Sequence, residues 1–106
     1  LVAEAGLPVA VSSALETSVV ISMGAALAAA LPELSYDCGL ATVGLLEYDV
    51  AVDPLVAVDG AIEVRRVEVN ERVFDDYAGS TTRDAWWRAR LQRCYTRLVT
   101  ESPAIR

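Results

Sequence analysis

The sequence contains no lysine and no histidine among its 106 residues. Enzymes commonly use these two side chains as general acids, general bases or nucleophiles. Histidine is also the commonest metal ligand, and the carboxylates that remain are scattered without the spacing of a ligand set. We therefore expect neither a catalytic residue nor a metal site within this chain.

Cysteine is scarce as well. Cys38 and Cys94 lie far apart and no secretory signal precedes them, so the sequence does not indicate a disulfide framework. We expect both to be free thiols in a reducing cytoplasm. The acidic neighbour Asp37 disfavours a thiolate at Cys38, which argues against a nucleophile there.

Basic residues are absent from the first part of the chain. Residues 1–60 carry eight acids and no base, whereas residues 61–106 carry nine arginines and seven acids. Binding a nucleic acid needs clustered cations, so the acidic part argues against such a partner.

No hydrophobic run is long enough to cross a bilayer. The most apolar stretch, a helix predicted from Val19 to Leu31, is interrupted by Ser22 and Gly24 and falls short of the roughly 20 residues required. Yet 54% of all residues are hydrophobic, which is high for a free-standing domain. We therefore expect a partner to cover part of the apolar surface of this chain.

The sequence starts at Leu1, within a run of residues typical of a helix end. This start predicts a truncated chain.

The segment from Leu7 to Leu31 is the most informative one that is present. Val9 to Ser12 is apolar on both faces, as expected of a buried parallel strand, and it ends in the pair Ser12 and Ser13. An alanine-rich helix follows and stops before Pro32. This order is typical of a strand-loop-helix unit of an α/β protein, in which ligands bind at the carboxyl ends of the strands.

The predicted helix start has Thr17 or Ser18 as its cap and Glu16 just before them. A carboxylate at this point favours the helix dipole. We prefer this electrostatic role for Glu16 to a catalytic one.

A second unit of the same kind follows. Ser35 to Leu40 is predicted to be a short strand, and Ala41-Thr42 leads into a helical stretch from Val43 to Tyr48. Parallel strands end at the same face, so the serine pair and the Gly39-Leu40 turn are predicted to be neighbours. Glycine allows close backbone approach, and the helix start behind it is able to hold a carboxylate or phosphate. Each motif alone is more typical of an ordinary turn, and their predicted closeness is what favours a ligand site.

The pattern becomes alternating after Asp53-Pro54. Asp59-Gly60 separates two alternating runs, which predicts a β-hairpin with a type I′ turn. The charged segment from Arg65 to Ser80 is predicted to be a loop with room for one helical turn. The last element is predicted to be an amphipathic helix from Thr82 to Val99, whose arginines lie mainly on a solvated face. Of the pair Trp86 and Trp87, one ring is expected to anchor in a core and the other to be partly exposed.

Three separated motifs resemble one family. PVAVSSALETS with the alanine-rich helix behind it, LPELSYDCGLAT and DVAVDPLVAVDG occur in the order found in the C-terminal portion of o-succinylbenzoate synthases. These proteins are enolase-superfamily dehydratases of menaquinone biosynthesis. The likeness extends from about Leu1 to Val67 and, more loosely, to the terminal WWRARL helix.

The resemblance implies an α/β fold, a C-terminal fragment of an enolase-superfamily (β/α) barrel. Residues 1–54 would be the last βα units, with two parallel strands and their helices. Residues 55–106 would be a hairpin, a loop and an amphipathic helix that pack back on the barrel or capping domain. The family's catalytic lysines and its three acidic Mg²⁺ ligands would lie outside this chain. The resemblance assigns four residues to the substrate-facing rim: Ser12, Ser13, Gly39 and Leu40.

By the same resemblance, the complete enzyme is a magnesium-dependent carbon-oxygen lyase that eliminates water from a cyclohexadiene carboxylate. The partners of this chain would be the missing N-terminal capping domain, the remaining barrel strands and a small-molecule carboxylate substrate, with no nucleic acid and no membrane. We expect this fragment alone to be inactive and poorly folded, because the barrel interior that it would fill is absent.

Two alternatives stay open. One is a fragment of a related enolase-superfamily racemase or epimerase, which the upstream strands and capping loops would distinguish. The other is a non-catalytic α/β module that associates through open sheet edges, and a stable dimer without ligand would favour it.

Overall fold

The computed structural model describes residues 4–101, in two compact units. The first unit ends at Asp76 and the second begins at Tyr77. The helix end predicted at Leu1 to Ala5 lies partly outside the described residues, and what is described of it is a turn that ends at Gly6 with a φ of +64°. The predicted division into residues 1–54 and 55–106 stays a prediction.

The first helix of unit one, α1, spans Ser18–Ala30, one residue earlier at each end than predicted. The Thr17 carbonyl accepts the N–H groups of Val20 and Ile21, which starts the helix. Pro32 disfavours a helical conformation at the residue before it, and Leu31 is accordingly extended, with φ −73° and ψ 136°.

A small hydrophobic core lies beneath α1. Its buried members are Ile21, Ala25, Leu40, Val43 and Leu55. Other large side chains of α1 remain open to solvent, and Met23 is 63% exposed. A helix that is apolar on more than one face is typical of the interior of a larger protein.

The predicted parallel strands are not confirmed as strands in the described part of the chain. A single parallel bridge joins Ser12 to Gly39. The Gly39 N–H donates to the Val11 carbonyl at 2.9 Å, and the Ser13 N–H donates to the Gly39 carbonyl at 2.9 Å. A parallel sheet is normally buried between neighbouring elements, so two segments alone do not extend the ladder further.

The predicted hairpin is likewise not confirmed beyond its turn. Asp59 and Gly60 have φ values of +50° and +77°, the signs required by a type I′ turn, and Val58 and Ala61 exchange two hydrogen bonds of 2.9 Å. The flanking runs form no ladder with each other. The Leu55 N–H instead donates to the Ser18 hydroxyl at 2.8 Å, which directs this run toward α1.

The segment predicted to be a loop with room for one helical turn contains one isolated bridge and one short helix. Its residue Val69 forms an antiparallel bridge with Ala51, and α2 spans Glu71–Asp76. Asn70 caps α2, because its Oδ1 accepts the Val73 N–H at 3.3 Å.

The helix predicted from Val43 to Tyr48 is wrong in position and type. The structure has a 3-10 helix at Ala41–Leu45, and the Leu46 N–H donates to the Val43 carbonyl at its end. Such short turns commonly serve as connectors, and the β-branched residues and Gly44 of this segment have low α-helix propensity.

The described part of unit two consists mainly of α3, which spans Thr81–Glu101. Trp86 and Trp87 form an edge-to-face pair with ring centroids 4.8 Å apart. Both indoles are about half exposed in the described unit, so neither is the core anchor that the sequence predicted. Two of the arginines predicted to be solvated, Arg83 and Arg90, lie within 5.3–5.8 Å of both ring centroids, where a cation is attracted to the aromatic face.

An ion pair of 2.7 Å joins Arg88 of α3 to Asp84 one turn earlier, and this hydrogen bond raises the pKa of Arg88. Within residues 4–101, no helix combines the length and the apolar character needed to cross a membrane.

Candidate substrate-binding rim

Three of the four predicted rim residues, Ser12, Ser13 and Gly39, lie together with Thr42 where the two predicted strands end, and these four residues form the rim in the structure. The bridge between Ser12 and Gly39 brings the first three of these residues together. The Ser13 hydroxyl donates to the Gly39 carbonyl at 3.0 Å, in addition to the bond from the Ser13 N–H. This arrangement makes the serine pair and the glycine neighbours, as the order of elements predicts.

Gly39 is close to Ser12 in a way that a side chain at position 39 would prevent. A Cβ atom built on Gly39 would lie 2.6 Å from the Ser12 hydroxyl oxygen and 3.3 Å from its Cβ. The sequence correctly indicates a close approach at this glycine, and the approaching group in the structure is the Ser12 side chain. Ser12 itself is exposed, and its hydroxyl donates to the Ser13 carbonyl at 3.3 Å.

Leu40 is placed differently from the other predicted rim residues. Its side chain is 5% exposed and belongs to the hydrophobic core beneath α1. A ligand at the rim would therefore meet the backbone of Leu40 and not its side chain. The assignment of Leu40 to the substrate-binding rim stays a prediction, and it concerns only the backbone of this residue.

Thr42 is a rim residue that the sequence does not identify, because it is predicted only to lead into a helix. Its Oγ1 lies 3.1 Å from the Ser13 hydroxyl oxygen, 29 positions away in the sequence. The only local signal for this role is that Thr42 is a hydroxyl residue three positions after Gly39. About three residues make one turn of a 3-10 helix, so the two positions are close to each other on such a turn. The anion-binding helix start predicted at Ala41-Thr42 is not supported, because five residues of 3-10 helix sum to a weak dipole.

A second polar cluster lies at the start of α1, where the sequence predicts a local cap at Thr17 or Ser18 but not its distant partner. Ser18 is fully buried, its N–H donates to Asp49 Oδ1 at 3.1 Å, and its hydroxyl donates to Asp49 Oδ2. The Val50 N–H donates to the same carboxylate at 2.8 Å, and the Ser18 hydroxyl oxygen accepts the Leu55 N–H at 2.8 Å. The side chain of Thr17 makes no capping bond, so Asp49 supplies the cap from 31 positions away.

This cluster adds an acid that the sequence does not indicate, while the electrostatic role of Glu16 stays a prediction. Asp49, and not Glu16, is the acid bonded at the start of α1. The Asp49 carboxylate occupies the end of the helix dipole where an anionic ligand would otherwise bind. The start of α1 is therefore not available to an anion held near the serine pair.

The residues present do not form a magnesium site. Across residues 4–101, no group of three or more histidine, cysteine, aspartate or glutamate side chains lies close enough together to hold a metal ion. The polar groups of the rim are neutral hydroxyls and backbone amides, which do not match the carboxylate-rich sets that magnesium prefers.

An apolar groove of about 530 Å³ lies beside the core of unit one. Ala25, Ala28 and Ala29 of α1 form one wall, and Cys38 and Ile62 contribute to the other side. Cys38 is half-buried there, and both cysteines are free. The groove offers an apolar surface of the kind that a packed neighbouring element covers.

Comparison with known proteins decides the family, although no family model matches the chain. The chain is 57% identical over 88 residues to the o-succinylbenzoate synthase of Thermobifida fusca, an alignment that covers 83% of this chain and 27% of that relative. The chain is homologous to the C-terminal portion of the o-succinylbenzoate synthases. The resemblance inferred from the three sequence motifs is thereby confirmed.

Two further o-succinylbenzoate synthases support this relationship. The protein of Mycobacterium tuberculosis is 43% identical over 97 residues, which are 92% of this chain and 29% of the relative. The protein of Mycobacterium ulcerans is 40% identical over 100 residues, which are 94% of this chain and 30% of the relative. The chain thus spans less than a third of the length of the curated relatives that it matches.

Proposed function

We propose that this chain is the C-terminal part of an o-succinylbenzoate synthase, a magnesium-dependent carbon-oxygen lyase of menaquinone biosynthesis. In this proposal the chain contributes part of the substrate-binding rim, and residues outside it supply the catalytic lysines and the metal ligands. The observation that carries the proposal is the 57% identity to the Thermobifida fusca enzyme, which extends over most of the chain.

The geometry of the rim supports a role in binding. Ser12, Ser13 and Gly39 meet at a parallel bridge where the two predicted strands would end, which is where ligands bind in barrels of this type. The hydroxyls are neutral hydrogen-bond donors, which orient a carboxylate or carbonyl oxygen but do not abstract a proton at neutral pH. The absence of lysine and histidine agrees with a binding role and leaves the proton transfer to other parts of the enzyme.

The exposed apolar surface supports the proposed partners, which are the remaining barrel strands and an N-terminal capping domain. Met23 and Leu27 are 63% and 56% exposed on α1, while Ile21 of the same helix is fully buried. Burying one such side chain contributes about 1.5–3 kcal/mol, so the rest of a barrel would stabilise this surface considerably. The proposal also places the enzyme in the cytoplasm, where the two free thiols would stay reduced.

A chimeric enzyme tests the proposal. In it, this chain replaces the matching C-terminal portion of the Thermobifida fusca enzyme, and conversion of the cyclohexadiene carboxylate to o-succinylbenzoate is followed by absorbance with magnesium present. We expect turnover within about tenfold of the intact relative, because 57% of the aligned positions are identical.

Two controls make the result decisive. The relative truncated before the matched portion should be inactive, and the intact relative sets the reference rate. A chimera that melts cooperatively but does not turn over the substrate would contradict the proposal, since folding would then be preserved without the activity.

A further inference from the structure

The hydrogen bonds of the rim determine which of its hydroxyl groups is available to a ligand. The Ser13 hydroxyl lies 3.0 Å from the Gly39 carbonyl oxygen, which only accepts, so Ser13 is the donor in this bond. A serine hydroxyl has one proton. In the 3.1 Å contact between Ser13 and Thr42, Thr42 must therefore be the donor and Ser13 the acceptor.

The Gly39 carbonyl is also fully used. It accepts the N–H of Ser13 at 2.9 Å and the hydroxyl of Ser13 at 3.0 Å, which occupies both of its lone pairs. The Thr42 hydroxyl thus donates to the Ser13 hydroxyl, which donates to the Gly39 carbonyl. We call this chain of bonds the rim clasp. Neither hydroxyl proton of the clasp is directed toward a ligand.

Ser12 differs from the clasp residues in three respects. It is exposed, its hydroxyl donates to the Ser13 carbonyl at the long distance of 3.3 Å, and its side chain lies where a Cβ atom on residue 39 would meet it. A carboxylate oxygen is a stronger acceptor than a carbonyl and forms bonds roughly twice as strong as neutral ones. A ligand carboxylate would therefore displace the weak bond of Ser12 more readily than any bond of the clasp.

We propose that Thr42 is a positioning residue of the rim. Its hydroxyl holds Ser13 on Gly39, and this leaves Ser12, of the three rim hydroxyls, as the donor to a carboxylate oxygen of the substrate. The proposal rests on the proposed function for the identity of that substrate. It goes further by dividing the serine pair into one ligand-binding and one structural residue, and by assigning Thr42, which lies outside the rim residues that the resemblance supplies.

The test compares Ser12→Ala, Thr42→Val and Thr42→Ser in the chimera. Steady-state kinetics give KM and kcat, calorimetry gives the affinity for o-succinylbenzoate, and hydrogen exchange reports on the amides of Ser13 and Gly39. Thr96→Val is the matched control, because the Thr96 hydroxyl donates to the Gln92 carbonyl within α3.

Ser12→Ala should raise KM and weaken o-succinylbenzoate binding by about tenfold, the loss of one charge-assisted bond, with unchanged amide exchange. Thr42→Val should accelerate exchange of both amides and raise KM by about threefold to tenfold, acting on KM more than on kcat. Thr42→Ser keeps the donor hydroxyl and should restore both values, and Thr96→Val should change neither.

The outcomes separate this inference from the proposed function. An active chimera in which Thr42→Val speeds exchange but leaves KM unchanged would make Thr42 merely structural and overturn the inference. Equal effects of Thr42→Val and Thr42→Ser would do the same. A folded, inactive chimera that still binds o-succinylbenzoate, and loses affinity with Ser12→Ala and Thr42→Val, would refute the proposed function and support the inference. A folded chimera with neither turnover nor binding would refute both.

Discussion

Replacing Asp49 with asparagine tests how much the distant cap stabilises the start of α1. The wild-type carboxylate accepts the Ser18 N–H, the Ser18 hydroxyl and the Val50 N–H. Asparagine retains one oxygen for the two amides, but its NH₂ group cannot accept the Ser18 hydroxyl proton. That proton would lose its acceptor in a residue with no solvent exposure.

The magnitude follows from these bonds. A bond to a charged acceptor contributes about 1.5–3 kcal/mol, and a buried donor without a partner costs about 1–3 kcal/mol. Because the two terms describe the same bond and Asp49 is only half-buried, we expect a loss of about 2 kcal/mol in Asp49→Asn. Asp49→Ala also removes both amide acceptors, so its loss should reach about 3–4 kcal/mol.

Native-state hydrogen exchange of the α1 amides in the chimera measures this loss directly, without requiring the whole enzyme to unfold in one step. A loss of about 2 kcal/mol corresponds to exchange roughly 30-fold faster at amides that exchange through local opening of α1. Glu47→Gln is the matched control, because it makes the same change of charge at an exposed position nearby in sequence. Its effect should stay below about 0.5 kcal/mol.

Equal effects of Asp49→Asn and Glu47→Gln would refute the reasoning. In that case Asp49 would stabilise α1 through its charge alone and not through its hydrogen bonds. A double-mutant cycle gives a second check. Ser18→Ala and Asp49→Ala should be non-additive, with a coupling of about 1–3 kcal/mol, because each removes the same bond. Additive losses would mean that the two side chains stabilise α1 independently.

Two further predictions concern the chain as a whole and its tightest turn. The isolated 106-residue chain should show no cooperative melting transition by circular dichroism and no lyase activity, because few residues form its core. A cooperative monomer would contradict this, and a stable dimer without ligand would favour a non-catalytic association module. Gly60→Ala should destabilise the turn by about 1–2 kcal/mol, because position 60 has a φ of +77°. Faster exchange of the Val58 and Ala61 amides would reveal that loss, whereas unchanged exchange would mean that the turn accommodates a side chain.

The elements that sequence reasoning located well are those with local signals. α1 and α3 begin within one residue of the predicted positions and end within two. Pro32 and the apolar periodicity are properties of a few neighbouring residues, so one sequence is sufficient to recognise them. The turn at Asp59-Gly60 belongs to the same class, since the residues that require positive φ are themselves the signal.

The strands and the polar contacts depend on partners distant in sequence. Alternation predicts that a segment is able to pair but does not identify its neighbour, and Ala51 pairs with Val69 from a segment predicted to be a loop. The contacts of Ser13 with Thr42 and of Ser18 with Asp49 join residues 29 and 31 positions apart. Strand-end geometry brought Ser12, Ser13 and Gly39 together correctly, but no local pattern predicts which hydroxyl bonds to which oxygen.

The charge distribution explains why a neutral rim suits this part of a binding site. Residues 1–60 carry eight acids and no base, so their field alone would repel a carboxylate substrate. Asp49 is bonded to the α1 start, and that position, which would otherwise attract an anion, is occupied by the chain's own carboxylate. The attraction that brings an anionic substrate to the site must then come from cations outside these residues. Under the proposed function, this chain would supply direction, because the Ser12 hydroxyl beside the clasp would select where a carboxylate oxygen lies without adding net charge.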